Sequence, residues 1–202
     1  MRRVVFDTET TGLFRRNAQP SDTAEYDGAR VLQIAYVVCD EAWRELRSSC
    51  YIVSPGGEHG FVVDGTQIHG ITSDRAVAEG VSFKIAVEGL FSELEKPNVA
   101  LVAHNAEFDM NVLVSELYRR GHTKWLSLLE TTPVVCTMQT TTDLLKLPGR
   151  FGYKWPRLEE LYRWVTGEAM TDAHDALRDC QNLCYALRTM KAQGITACEP
   201  IS

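Results

Sequence analysis

Asp7 and Glu9 stand two residues apart in the run Val4-Val5-Phe6-Asp7-Thr8-Glu9-Thr10-Thr11-Gly12-Leu13. On a strand, alternate side chains share a face, so both acids project the same way, together with Val5. Two neighbouring carboxylates repel unless a positive charge lies between them. A divalent cation answers that need, because hard cations take carboxylate oxygens. The apolar start reads as a buried strand and the Thr-Thr-Gly as turn material, which puts the acids near a strand end, where α/β sheets commonly place their sites.

Two further motifs carry acids. His104-Asn105-Ala106-Glu107-Phe108-Asp109 follows the apolar run Val99–Ala103 and places Asp109 in the first turns of a helix that Asn105 can cap. Asp172-Ala173-His174-Asp175-Ala176-Leu177-Arg178-Asp179 opens the last helix. His174 and Asp179 are about 140° apart on a regular helix, so Asp179 can point inward only with His174 on the preceding loop or first turn. Asp172 and Asp175 are the alternatives for capping that helix. Four carboxylates suit a pair of metal ions roughly 3.5–4 Å apart, which bind the attacking and leaving oxygens of an in-line phosphoryl displacement. Histidine, titrating near neutrality, suits the general base.

These elements need a scaffold. The apolar runs predict strands over 3–7, 31–38, 45–53, 99–103 and 134–136, the first three antiparallel because their connections are short. Helical spacing is predicted from Phe83 to Leu94, after Asn105 to Gly121, over 138–147 and 158–165, and from about 173 to 191, with short helical pieces within 64–80. The reading is one α/β domain over residues 1–202, with a mixed five-stranded sheet flanked by helices. The segment over 14–30 is a long polar loop that suits a lid, a dimer contact or neither. The segment 146–157 interleaves four basic residues with three aromatics and has no acid. It fits either a contact to single-stranded nucleic acid or a loop whose aromatics tuck into the core. His69, His104 and His122 read as structural or exposed, and His59 as a loop residue.

The three motifs together resemble the DEDD exonuclease superfamily in its histidine branch, DEDDh, over residues 4–179. Asp175 stands where the tyrosine branch has its tyrosine. The resemblance implies an RNase H-like sheet and 3′→5′ removal of nucleoside 5′-monophosphates. It implies Asp7, Glu9, Asp109 and Asp179 as ligands of two Mg²⁺ or Mn²⁺ ions, and His174 as the base. It also implies contacts to the 3′ nucleotide from Thr8, Thr10, Thr11, Gly12 and Leu13, with Asn105 and Phe108 lining the same pocket. The expected partner is a nucleic-acid 3′ end, single-stranded DNA first and RNA as the alternative. A proofreading subunit or binding module of a polymerase complex is the reading from another class. The motif resembles proofreading-type and stand-alone bacterial members most.

Composition bounds the rest. The chain has 202 residues, 45% of them hydrophobic, enough for one domain that buries roughly 70% of its unfolded surface. The net charge of −6 does not advertise a phosphate-neutralising surface. Six cysteines without a C-x-x-C pair read as free thiols of a reducing, intracellular compartment. No run approaches a membrane span, and Met-Arg-Arg leads directly into the first strand, leaving no signal peptide expected. The oligomeric state is open, a homodimer included.

Overall fold

The computed structural model describes residues 1–56, 63, 66–171 and 174–199. Five strands form one sheet: β1 (Arg2–Thr10), β2 (Val31–Cys39), β3 (Glu45–Ile52), β4 (Val99–Ala103) and β5 (Val134–Cys136), in the order β3-β2-β1-β4-β5. β1 pairs antiparallel with β2, and β2 with β3, whereas β4 lies parallel to both β1 and β5. Short connections permit the antiparallel pairs. The parallel ones require a crossover, here the long excursion between β3 and β4 and the helix between β4 and β5.

Four main helices cover the sheet: α1 (Phe83–Leu94), α2 (Ala106–Arg119), α3 (Leu158–Thr166) and α4 (Ala176–Ala192). The period of two along β1 separates two cores. Val4 and Phe6 join Ile34, Tyr36 and Leu101 under α1 and α2. Val5 joins Ala35, Val37 and Val102 under α3 and α4. β2 is buried at every residue because both its faces are covered, which is why it reads as a continuous apolar run. Gly121, at φ +69°, ends the segment after α2.

Two local expectations are corrected, and two segments whose role was open gain a structure. α4 begins at Ala176, not near 173, because His174 is left-handed and Asp175 is extended; positions 172 and 173 lie outside the described residues, as does His59. The helix predicted over 138–147 is two short pieces, Thr137–Thr140 and Thr142–Leu145. Hydroxyls there donate back to carbonyls one turn earlier, Thr141 Oγ1 to Thr137 O at 2.6 Å and Thr142 Oγ1 to Met138 O at 2.8 Å, a habit that bends and weakens helices. The loop over 14–30 holds a 3₁₀ turn at Thr23–Tyr26, with Tyr26 buried and stacked on Phe14 at 4.4 Å. The segment 146–157 forms a small hairpin, Pro148–Gly149 with Gly152–Tyr153, and its aromatics point outward: Phe151, Tyr153 and Trp155 are all exposed.

All six cysteines are free. Cys180 and Cys184 share the inner face of α4, and the Cys184 sulfur lies 3.3 Å from that of Cys39. Burial and then the nearby Asp7 carboxylate push the Cys180 thiol well up, and the hydrogen bond with Cys39 and then burial do the same for Cys184, so both stay protonated packing groups. Among the described residues, no helix is long and apolar enough to cross a membrane.

Candidate active site

The site lies at the C-terminal end of β1, the central strand. Asp7 and Glu9 project toward α4, opposite Ala35 and Gln33 of β2. The register shifts between Glu9 and Thr10, and such a bulge turns the chain sharply as it leaves the sheet. Thr8 points to the other face. There its backbone N–H and its hydroxyl both donate to Asp109 Oδ1, at 3.1 and 2.7 Å. Asp109, fully buried in the first turn of α2, is thereby tied to the strand that carries the other two acids. Thr8, expected to touch substrate, spends its donors on Asp109.

α4 delivers the remaining pair. Asp175 caps it, its Oδ1 accepting from the Arg178 N–H at 3.1 Å, and one turn on Asp179 faces Glu9. The His174 N–H donates to Asp179 Oδ2 at 3.1 Å. His174 has φ +69°, a strained conformation for a residue with a Cβ, which lifts its exposed imidazole over the acids. Ligand atoms of Glu9, His174 and Asp179 all lie within 4.8 Å of one another.

Gln33 is a functional residue that motif reading missed. Buried on β2, it accepts from the Ala176 N–H at 3.0 Å and donates to Asp175 Oδ2 at 3.3 Å. It therefore clamps the start of α4 to the sheet beside Glu9. The available signal was one polar residue inside the run Val31-Leu32-Gln33-Ile34-Ala35.

The turn after the acids is built from within. Thr10 Oγ1 donates to Gly12 O at 2.8 Å, and Thr11 Oγ1 to Gly28 O at 3.1 Å. A Cβ on Gly12 would meet Gly28 O at 2.9 Å, so only glycine lets these two loops cross. Behind them Arg30 and Glu116 form a buried pair, with Arg30 Nε 2.6 Å from Glu116 Oε1. The result is a rigid turn that holds Leu13 in water, 79% exposed.

Asn105 does not cap α2 as expected. At φ +72° its side chain makes no capping bond, and it lines a hollow of about 480 Å³ with His174 and Asp179. Phe108 is placed in an aromatic stack with Phe14, centroids 5.4 Å apart, outside the lining of that hollow. His104 is buried to the point that its pKa falls to about 4, so it is neutral; its ring nitrogens lie 3.0 Å from Thr137 Oγ1 and 2.9 Å from Pro156 O.

The electrostatics of the acids fit a divalent cation. Burial first, then the neighbouring acids, raises Asp7 well above the usual carboxylate range. The same causes push Glu9 to about 7, with Asp179 the leading neighbour. Burial lifts Asp109 to about 7 against the pull of both Thr8 donors, and lifts Asp179 to about 6 against the His174 N–H. Asp179 Oδ1 is buried with no hydrogen-bond partner among the described residues. An orphaned anionic oxygen among hard oxygen donors fits a divalent cation.

A sheet of order β3-β2-β1-β4-β5 with four acids over its central strand is the RNase H-like arrangement. Residues 4–187 match the RNase_T family, described as exonuclease. The chain belongs to this exonuclease family, in its DEDDh type. A search of curated proteins finds no match. Among solved structures, a zinc-bound form of E. coli exonuclease I with single-stranded DNA is similar at TM-score 0.72 and 19% identity, over 95% of this chain and 41% of that one. E. coli exonuclease I with a dT13 oligonucleotide gives 0.71 and 19%, over 94% and 41%. Exonuclease I from Methylocaldum szegediense gives 0.67 and 20%, over 95% and 40%. The chain thus spans about two-fifths of these structures, and the likeness is one of fold.

Proposed function

We propose that this chain is a metal-dependent 3′→5′ exonuclease that releases nucleoside 5′-monophosphates from single-stranded DNA ends, with residues 1–202 acting as one domain. The observation that carries the proposal is the gathering of Asp7, Glu9, Asp109 and Asp179, from three separate elements, with Asp179 Oδ1 buried and without a hydrogen-bond partner among the described residues. Such a cluster is unfavourable on its own and becomes favourable with cations bound. The similar structures of E. coli exonuclease I with oligonucleotides support DNA as the strand.

The chain's own residues have distinct parts. Asp7, Glu9, Asp109 and Asp179 would hold two Mg²⁺ or Mn²⁺ ions. When bound, these ions neutralise charge that builds on the attacking and leaving oxygens. His174 takes the proton from the attacking water, within reach of it directly or through one further water. The Asp179 carboxylate, accepting the His174 N–H, holds the strained backbone that aims the imidazole. Thr8 orients Asp109 and partly offsets the effect of its burial, since both of its bonds favour the charged carboxylate. Gln33 and Asp175 fix the register of α4, hence of Asp179. The rigid turn of Thr10, Thr11 and Gly12 presents Leu13 to the terminal base, and Asn105 reaches the terminal nucleotide from the hollow.

The test is hydrolysis of labelled single-stranded DNA, duplex DNA and RNA, with and without Mg²⁺, by wild type and His174→Ala. Mg²⁺-dependent shortening of single-stranded DNA from its 3′ end is expected, with the histidine variant strongly impaired. Preferential shortening of RNA would replace the substrate, and no shortening of any strand would end the proposal.

A further inference from the structure

Two hollows flank one exposed indole. The first is the catalytic hollow of about 480 Å³ with Asn105, His174 and Asp179, and Trp155 forms part of its wall. The second, about 600 Å³, is lined by the loop over 14–20, by Glu107 and Asn111 of α2, and again by Trp155. Both volumes fall within the ~300–1,000 Å³ typical of sites that enclose a small molecule or one unit of a larger one.

Trp155 is 60% exposed, yet its backbone is fixed. The Pro156 carbonyl can only accept, so the 2.9 Å contact makes His104 Nε2 the donor. On the other side the Lys154 N–H donates to Leu147 O at 2.9 Å. A rigidly mounted aromatic ring held in water is a stacking platform, since every base has a π-face.

The second groove has the complementary chemistry. Asn17, Gln19 and Asn111 contribute three carboxamides, each with donors and an acceptor that can pair with a base edge. Arg16 lines it too and makes no ion pair among the described residues, while Glu107 supplies one opposing charge. One cation and one anion offset each other, so the groove is not built for a bare phosphate. It is built for a flat, neutral group rich in hydrogen-bonding edges.

We propose that an upstream nucleotide of the substrate strand stacks on Trp155 and lays its base into the groove formed by Arg16, Asn17, Gln19 and Asn111. This inference rests on the exonuclease reading and adds a second subsite to it. The subsite would make the enzyme favour strands over single terminal nucleotides.

The test compares two probes on the full chain. One is oligothymidylate of a dozen units, and the other is the p-nitrophenyl ester of thymidine 5′-monophosphate, which occupies the catalytic hollow alone. Trp155→Ala is expected to raise KM for the oligomer about 5- to 100-fold and KM for the ester far less, since the indole walls both hollows but only the oligomer fills the second. Trp155→Phe should restore most of the loss, and Asn111→Ala should show a smaller change of the same kind. An unchanged KM for the oligomer overturns the proposal, and so does an equal loss on both probes, which would put Trp155 at the reacting centre. Fluorescence anisotropy of labelled oligothymidylate in EDTA reads the groove without catalysis. Weaker binding by Trp155→Ala is expected there even if the exonuclease reading fails, and unchanged binding refutes the subsite.

Discussion

Replacing Glu9 by Gln should stabilise the metal-free protein while disabling it. The side chain keeps its shape and loses its charge. In the folded chain, burial and then the charges of Asp179, Asp109 and Asp175 raise Glu9 from 4.5 to about 7. At ~1.4 kcal/mol per pH unit that rise corresponds to at most ~3.5 kcal/mol. Partial exposure and solvent screening reduce the penalty to about 1–2 kcal/mol. At ~2–4 °C per kcal/mol for a chain of this size, Glu9→Gln in EDTA should melt about 2–8 °C above wild type at pH 8. A raised folded pKa means that the native state binds more protons than the unfolded one across the interval from 4.5 to about 7. The penalty is therefore full above that interval, shrinks as pH falls through it, and is absent below it. The advantage of the variant should vanish near pH 4.5. Saturating Mg²⁺ should reverse the order at pH 8, because the wild type gains more from the ion. Nuclease activity should fall about 100-fold or more. The assays are thermal melts across pH with EDTA or Mg²⁺, and single-strand hydrolysis. A variant no more stable than wild type in EDTA at pH 8, or a difference independent of pH, would refute the reasoning.

Wild type itself should melt higher at pH 5.5 than at pH 8 in EDTA, since Asp7, Glu9, Asp109 and Asp179 all shift upward, and Mg²⁺ at pH 8 should abolish that trend. Thr8→Val removes the 2.7 Å bond to Asp109, so activity should drop about 10- to 100-fold with only ~1–2 kcal/mol lost in stability by denaturant titration. Gln33→Leu leaves the start of α4 unclamped and should lower kcat more than it changes KM, with about 1–3 kcal/mol of destabilisation. Gly12→Ala puts a Cβ 2.9 Å from Gly28 O and should raise KM for single-stranded DNA, by displacing the turn that presents Leu13, at little change in the Mg²⁺ response of the melt.

The strand Val99–Ala103 was legible because burial on both sides leaves an unbroken apolar run, and the partly exposed edge strand Val134–Cys136 because its residues are apolar and its valines β-branched; the bounds of both match the structure. The shared face of Asp7 and Glu9 was legible through their spacing, because it needs only strand periodicity. What escaped depends on non-local partners. Thr8 is joined to Asp109 across 101 positions, and Gln33 to Asp175 across 142. Neither pairing leaves a local pattern. Asn105 looked like an N-cap by residue type, but its left-handed backbone turns the side chain away from the free N–H groups of α2. The threonine-rich stretch over 137–145 carries helical apolar spacing, and its hydroxyl back-bonds break the helix. For the hairpin over 146–157, composition left two readings open, and the outward aromatics remove the one that tucked them into the core.

The central claim is that the four carboxylates and His174 form a metal-dependent exonuclease centre. The most direct measurement is release of nucleoside 5′-monophosphates from linear single-stranded DNA labelled at its 3′ end, for wild type and His174→Ala, with Mg²⁺ or EDTA. The account predicts rapid release by wild type with Mg²⁺, none in EDTA, and a loss of about 10²- to 10⁴-fold in His174→Ala. Undiminished release by the histidine variant, or release that persists in EDTA, would contradict it.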